Sequence, residues 1–167
     1  RNMLTDSRKG NYPHIYGHEI VGVVDEIGAL EREYQIGERL YIYPADHCLR
    51  CEPCRSGHNE NCWNQGDYVD RQGGFADYVV VTAEQIARDA LFRLPEGISA
   101  DAASLSEPLS SVYACQENID VHLGDVVVII GAGPIGCFHA QLAKMRGASK
   151  VIVIEINDHR LEMTKEF

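Results

Sequence analysis

Apolar and polar positions along this chain change their spacing near residue 100: short β-type runs precede it, and β-branched runs separated by helical spacing follow. Ile20 to Val24 is an apolar run bounded by Gly17 and Gly28 and predicts a strand. Arg39 to Tyr43 predicts another, which must stop at Pro44 because proline cannot donate to a ladder. Phe75 to Val81 alternates after Gly73 and Gly74, and Leu91 to Leu94 forms a shorter run before the turn at Pro95 and Gly97, so strands are expected at both. Residues 1–13 are polar, contain Gly10, Asn11 and Pro13, and predict loop with room for one helical turn near Met3 and Leu4. Ala29 to Gly37 predicts a second loop, and the first hundred residues are expected to be mostly β.

In the second part Ser99 is placed to cap a short helix through Ala103. Val126 to Ile130 is a β-branched run of the kind buried on both faces of a parallel sheet. Ile135, Phe138 and Leu142 recur at helical spacing, Ala143 and Met145 broaden the apolar face, and Gly147 offers a C-terminal cap, which predicts a helix of about three turns. Val151 to Ile154 is a second β-branched run, and Arg160, Leu161, Met163 and Thr164 open another helical pattern.

Chemistry enters between those runs. The GAGPIG turn places Gly131, Gly133 and Gly136 in a GxGxxG pattern: the first permits the tight turn, the second lets a pyrophosphate approach the backbone, and the third lets helix and strand pack closely. Pro134 suits the first helical turn, where its missing N–H costs nothing. Glu155 closes the second run 19 residues past Gly136, where a carboxylate can accept both hydroxyls of an adenosine ribose and would repel a 2′-phosphate. Gly131, Gly133, Pro134, Ile135, Gly136 and Glu155 are therefore the expected cofactor-binding residues, with NAD favoured over NADP.

Cys48, Cys51, Cys54 and Cys62 give CxxCxxCx7C. Four thiolates at this spacing suit a closed tetrahedral zinc site with no position left for substrate, and Arg55 to Asn61 would wrap the metal. His47 and His58 lie beside the cluster and are expected at the surface, since the sulfurs already saturate zinc. Cys115 and Cys137 are expected to act as small buried hydrophobes. In the triplet Gly17, His18, Glu19 two zinc-ligand types open a strand, where adjacent residues point to opposite faces unless the backbone is bent. Glu107 precedes Pro108. Two readings apply: proline holds it in an extended or turn conformation, or it is the N-terminal acid of a helix from Ser110 to Glu117.

With 15 basic and 25 acidic residues the chain has a formal net charge of −10, which opposes nucleic-acid binding by counterion release. No apolar run reaches the length of a membrane span, so no membrane partner is expected. Four of six cysteines at metal spacing suit a reducing cytoplasm better than a disulfide framework. The chain opens on Arg1 instead of Met and stops at Phe167 inside a helical pattern, and it is expected to be a fragment of a longer protein.

Taken in order, GHE, CxxCxxCx7C, the Glu107–Pro108 step and GAGPIG make the sequence resemble the medium-chain zinc-dependent alcohol dehydrogenases, and within them the polyol and threonine dehydrogenase branch. The resemblance implies an α/β plus β architecture: a GroES-like β-barrel catalytic domain with a structural zinc lobe, followed by the start of a Rossmann doubly wound parallel sheet. Residues 1–106 are then expected to be the catalytic domain without its N-terminus, and 107–167 the truncated beginning of the cofactor domain. By the same likeness His18, Glu19 and Glu107 match the catalytic zinc site. The family's further cysteine ligand precedes the GHE segment, and Arg1 to Tyr16 contain none.

The implied activity is Lewis-acid activation of a secondary alcohol or polyol hydroxyl, with hydride transfer from carbon to NAD. Catalytic and structural zinc are the implied metals, a small alcohol the implied substrate, and a dimer or tetramer the implied assembly. The alternatives are a threonine or simple alcohol dehydrogenase of the same fold, or a non-catalytic binding module stapled by the cysteine-bound zinc.

Overall fold

A computed structural model of the chain describes residues 15–29, 31–44, 47–64 and 73–166; the loop expected over residues 1–13 lies outside them. The chain divides into two compact units, the first ending at Ser104 and the second beginning at Leu105.

In the first unit β1 (Ile20–Val23), β2 (Arg39–Ile42) and β3 (Leu91–Arg93) form an antiparallel sheet with β2 in the centre. Ile20 pairs with Ile42 and Tyr41 with Phe92. As the central strand, β2 supplies the buried residues Leu40 and Tyr41, and the Tyr41 and Phe92 rings lie 6.3 Å apart. The strand expected at Phe75 to Val81 is absent. Its apolar residues Phe75, Tyr78 and Val80 are exposed, and around its start the N–H groups of Gly73, Gly74 and Phe75 donate to the carbonyls of Ile15, Gly17 and Tyr16. Outside the three short strands, the described residues of this unit are turns and short helices.

Those helices are α1 (Glu52–Arg55), α2 (Ala83–Ile86) and α3 (Ala100–Ser104). In α2 a capping box compensates for shortness: Thr82 Oγ1 accepts from the Gln85 N–H at 3.2 Å, and Gln85 Oε1 accepts from the Thr82 N–H at 2.7 Å. Ser99 caps α3 as expected, its Oγ accepting from the Ala102 N–H at 3.1 Å, and α3 packs against β1.

The second unit runs α4 (Ser106–Asn118), β4 (Val126–Ile130), α5 (Pro134–Met145), β5 (Lys150–Ile154) and α6 (Asp158–Met163). β4 and β5 pair in parallel, Val126 with Lys150 through Ile130 with Ile154, and α5 lies against both strands and against α4. Val112 and Gln116 of α4 are each 1% exposed. The Gln116 Nε2 donates to the His139 carbonyl at 2.9 Å, which ties α4 to α5. Gly147 ends α5 with φ +88°, the left-handed conformation glycine adopts freely.

Three expectations change here. β4 and β5 are covered on one face only: Val127, Ile129, Val151 and Val153 are shielded, whereas Val126, Val128, Ile130, Ile152 and Ile154 are exposed, because the described helices pack on a single side. The buried face of α5 is made by Ala140 and Ala143, while Met145 is 83% exposed; small residues there let helix and sheet approach closely. Cys115 is exposed and Cys137 half-buried, so neither is a core hydrophobe. Among the described residues no helix is long and apolar enough to cross a membrane.

The turn into β4 carries an ion pair with a pH signature. The Asp125 Oδ2 accepts from the His122 backbone N–H at 2.9 Å and faces the His122 Nδ1 at 3.0 Å. The Asp125 hydrogen bond and charge raise the His122 pKa, and the His122 N–H and imidazole lower that of Asp125. The raised imidazole contributes stability below its unfolded pKa of about 6.5 and loses it as pH rises through the folded value; the carboxylate contributes above its unfolded value of about 3.9 and loses it as pH falls through the folded one. The pair is thus complete between those two limits. A proton NMR titration should find His122 above the ordinary histidine value, and Asp125→Asn should return it there; an unchanged titration would discard the pair.

Candidate functional site

The cysteine lobe is built from very little chain. α1 and a single 3-10 turn at Asn59–Asn61 are its only regular structure, and its four cysteines are all buried. Their sulfurs lie within 4.8 Å of one another. The Cys51 N–H points at the Cys48 Sγ and the Cys48 N–H at the Cys62 Sγ, both at 3.3 Å. Asn64 adds its Nδ2 to the Cys48 Sγ at 3.3 Å and its backbone N–H to the Cys62 Sγ at 3.4 Å.

These donors favour charged sulfur. The N–H of Arg50, then those of Cys51 and the Asn64 amide, bring the Cys48 thiol down to about 5 against the opposing effect of burial. Burial, followed by the neighbouring sulfurs of Cys51 and Cys62, pushes the Cys54 thiol up to about 12. Several thiolates cannot share so small a volume without a compensating cation, and a dication that binds sulfur tetrahedrally supplies the missing charge. The donor set, its closeness and its N–H bonds fit a structural zinc. His58 is exposed as expected and sits 3.3 Å from Glu60. His47 corrects the expectation of a surface residue: it is 4% exposed and packs against the Tyr43 ring at 5.8 Å.

Ahead of β1, the ligand atoms of His18 and Glu19 lie within 4.8 Å of each other, both side chains being exposed. The expected divergence of neighbouring strand residues does not arise, because they precede the strand and follow Gly17 at φ +99°. The approach to this pair is held from behind. Gly73, Gly74 and Phe75 donate to the carbonyls of Ile15, Gly17 and Tyr16 at 2.9, 3.0 and 2.9 Å. A Cβ on Gly73 would stand 2.2 Å from the Tyr16 carbonyl oxygen, and one on Gly74 would stand 2.5 Å from Ile20 Cγ1. In the sequence this glycine pair marks only the start of an alternating run; its adjacency was the one available clue to a close backbone approach.

Glu107 lies in the second unit, in the first turn of α4. The extended conformation is thereby set aside in favour of the helix-terminal acid, in a helix that starts at Ser106 instead of Ser110. Pro108 is tolerated because the first-turn N–H groups have no intrahelical partner to lose.

The glycine turn joins β4 to α5. Gly131 has φ +104°, and a Cβ on Gly136 would lie 2.0 Å from the Gly131 carbonyl oxygen, whereas one on Gly133 would meet nothing within 4 Å. Pro134 is the first residue of α5 and Ile135, half-exposed, the second. Glu155 reaches back across the turn: its Oε2 accepts from the Ala132 N–H at 2.8 Å, and its Oε1 from the N–H groups of Ile156 at 2.8 Å and Asn157 at 3.0 Å. These bonds, that of Ala132 first, hold its carboxyl below the usual range. The open space at Gly133, beside the unpaired N–H groups of a helix start, fits a pyrophosphate.

Residues 2–96 match the family described as the alcohol dehydrogenase GroES-like domain. The chain is 37% identical over 155 residues to an L-threonine 3-dehydrogenase of Deinococcus radiodurans, an alignment covering 92% of this chain and 43% of the relative. Among solved structures it is similar to galactitol-1-phosphate dehydrogenase from Escherichia coli, with a TM-score of 0.80 and 30% identity, covering 93% of this chain and 44% of that one. It is also similar to 2R,3R-butanediol dehydrogenase from Bacillus subtilis, with a TM-score of 0.78 and 26% identity, covering 93% and 43%. The chain thus spans less than half the length of these relatives. On the matched span, which contains the GHE segment, the three-stranded sheet and the cysteine lobe, the chain belongs to the alcohol dehydrogenase GroES-like domain family.

Proposed function

We propose that the chain forms the zinc-lobe and leading nucleotide-binding portion of an NAD-dependent zinc dehydrogenase that oxidises a small secondary alcohol. The observation that carries this is the glycine turn, open at Gly133 and braced by Glu155. A carboxylate offers about four acceptor positions; with three taken by backbone N–H groups, one is left for a ribose hydroxyl instead of the two expected from the sequence, and the charge beside it opposes a 2′-phosphate.

His18, Glu19 and Glu107 are the proposed protein ligands of a catalytic zinc, which when bound supplies Lewis acidity toward the substrate hydroxyl. The convergence of His18 and Glu19 ahead of β1 supports that role. The imidazole offers a neutral nitrogen, and the two carboxylates offset the metal's charge. Gly131, Gly133 and Gly136 admit the pyrophosphate to the start of α5, and Glu155 selects NAD. The cysteine lobe has no part in the chemistry.

A polyol is the substrate favoured by a glutamate at position 107. The 37% identity to an L-threonine 3-dehydrogenase favours the amino alcohol threonine instead. Zinc content and NADH absorbance decide the matter together. The full-length protein should hold about two zincs per subunit, falling to about one in His18→Ala with loss of NAD-dependent oxidation. One zinc in both proteins would remove the catalytic site and leave a metal-stapled binding module. A panel of polyols, threonine and short alcohols separates the substrates.

A further inference from the structure

Asn64 lies just past the last cysteine of the lobe and belongs to no metal-ligand pattern. From Cys62 to Asn64 the chain turns inward, outward and inward again: Cys62 is buried, Trp63 is exposed and Asn64 is half-buried. Asparagine suits such a turn, because its short amide side chain bonds readily to groups nearby. Here the amide is directed at sulfur. Its Nδ2 donates to the Cys48 Sγ at 3.3 Å, while the Asn64 backbone N–H donates to the Cys62 Sγ at 3.4 Å. One residue thus holds the first and the last cysteine of the cluster, and the Cys48 N–H joins those two directly by donating to the Cys62 Sγ at 3.3 Å.

The side-chain bond differs in kind from the backbone ones. The N–H groups of Cys48, Cys51 and Asn64 that reach sulfur follow from the path of the chain, and any residue type except proline would supply them. The Nδ2 bond depends on an amide at position 64. A thiolate is a charged acceptor, and hydrogen bonds to charged acceptors are the stronger kind. The four cysteines, as thiolates, carry more negative charge than one dication offsets, so a donor aimed at a sulfur relieves repulsion that the ion leaves. Groups that bond a metal's ligands from outside commonly change its affinity by about 10–100-fold. Position matters as well: Arg55 to Asn61 separate Cys54 from Cys62, and fastening the end of that excursion to Cys48 keeps the last sulfur beside the others.

We propose that Asn64 is a positioning residue of the sulfur site: its backbone N–H and its side-chain amide hold the Cys62 and Cys48 sulfurs together, and the amide slows the loss of the bound ion. The role is one of retention, since Asn64 acts on the metal through the cysteines. It presupposes zinc in the lobe, and it is independent of the substrate and of the catalytic assignment at His18.

The test is zinc release from the full-length protein into excess chelator at fixed pH, in a His18→Ala background that carries about one zinc per subunit whether or not the catalytic assignment holds. In that background Asn64→Leu, of similar volume and without a donor, should release zinc roughly tenfold faster. Asn64→Asp keeps the shape but puts a charged acceptor where the donor was, and should lose zinc at least as fast; it also serves if Asn64→Leu fails to load. Cobalt(II) in the same sulfur site adds a reading that shape alone does not move. A hydrogen bond lowers the energy of a sulfur lone pair, so the sulfur-to-cobalt charge-transfer band should shift to longer wavelength in both variants. Release from Asn64→Asp at the parent rate, or an unchanged charge-transfer band, would each overturn the proposal. Failure of both variants to take up any zinc would overturn it too, making Asn64 a folding determinant instead. A parent protein without zinc in the lobe would remove the zinc reading and this role together.

Discussion

Cys51→Ser is expected to release the lobe's zinc and to lower the thermal midpoint by about 10 °C or more, the effect of losing about 4 kcal/mol or more from a chain of this size. The magnitude follows from how the lobe is made. Its buried cluster consists of Cys48, Cys51, Cys54 and Cys62, and its regular structure amounts to a four-residue helix and a three-residue turn. Neither can stand by propensity, since isolated helices shorter than about 12–15 residues are marginal in water. The metal therefore takes the place of a hydrocarbon core, as in small zinc domains that are unfolded without it. Zinc analysis and a melt provide the check, with amide exchange over residues 47–64 as the local readout. If Cys51→Ser kept its zinc and melted with the wild type, the lobe would have some other source of order.

The two inner glycines of the nucleotide turn should respond in opposite ways. A Cβ at Gly136 would sit 2.0 Å from the Gly131 carbonyl oxygen, backbone against backbone, so Gly136→Ala must push α5 away from the turn. Overpacking costs about 1–3 kcal/mol, and here the upper end is expected, with NADH binding lost as well. Gly133 has φ −77° and open space where a Cβ would go. Gly133→Ala should leave the nucleotide-free melt unchanged or raise it by up to about 1 kcal/mol through the unfolded chain. Its methyl group would nevertheless stand where a pyrophosphate must approach, and NADH should bind at least about tenfold more weakly, which is 1.4 kcal/mol. A Gly133→Ala protein that melts like Gly136→Ala, or that binds NADH like wild type, would contradict this division between a packing glycine and a ligand glycine.

The contrast between those residues also shows what was legible beforehand. Strands at Ile20, Arg39, Leu91, Val126 and Val151, and the helix after GAGPIG, follow from local runs bounded by glycine and proline, because each element's apolar face is written into its own residues. The zinc lobe was legible for a different reason: cysteine spacing encodes geometry directly. What escaped depends on partners distant in sequence. Phe75 to Val81 alternates as a strand does, yet it is no strand among the described residues, and nothing local says so. His47 is a local exception: it packs against the Tyr43 ring only four residues back, but its place beside Cys48 gave no sign of burial. The role of Gly73 comes from the Tyr16 carbonyl, far back along the chain. For Glu107 the sequence left two readings open, and the rule about residues before proline could not decide between them because it loses force in the first turn of a helix.

The sulfur cluster has one more consequence, a redox one. The Cys51 and Cys54 sulfurs lie 3.4 Å apart, and with zinc withdrawn the low-pKa thiolate of Cys48 stands in the same group. Oxidation proceeds through thiolates that are close to a second sulfur. Loss of the ion therefore leaves four reducing equivalents in contact, and two disulfides formed there would occupy all the groups that a returning zinc requires. Zinc could return only after a thiol reductant had reopened those disulfides by exchange.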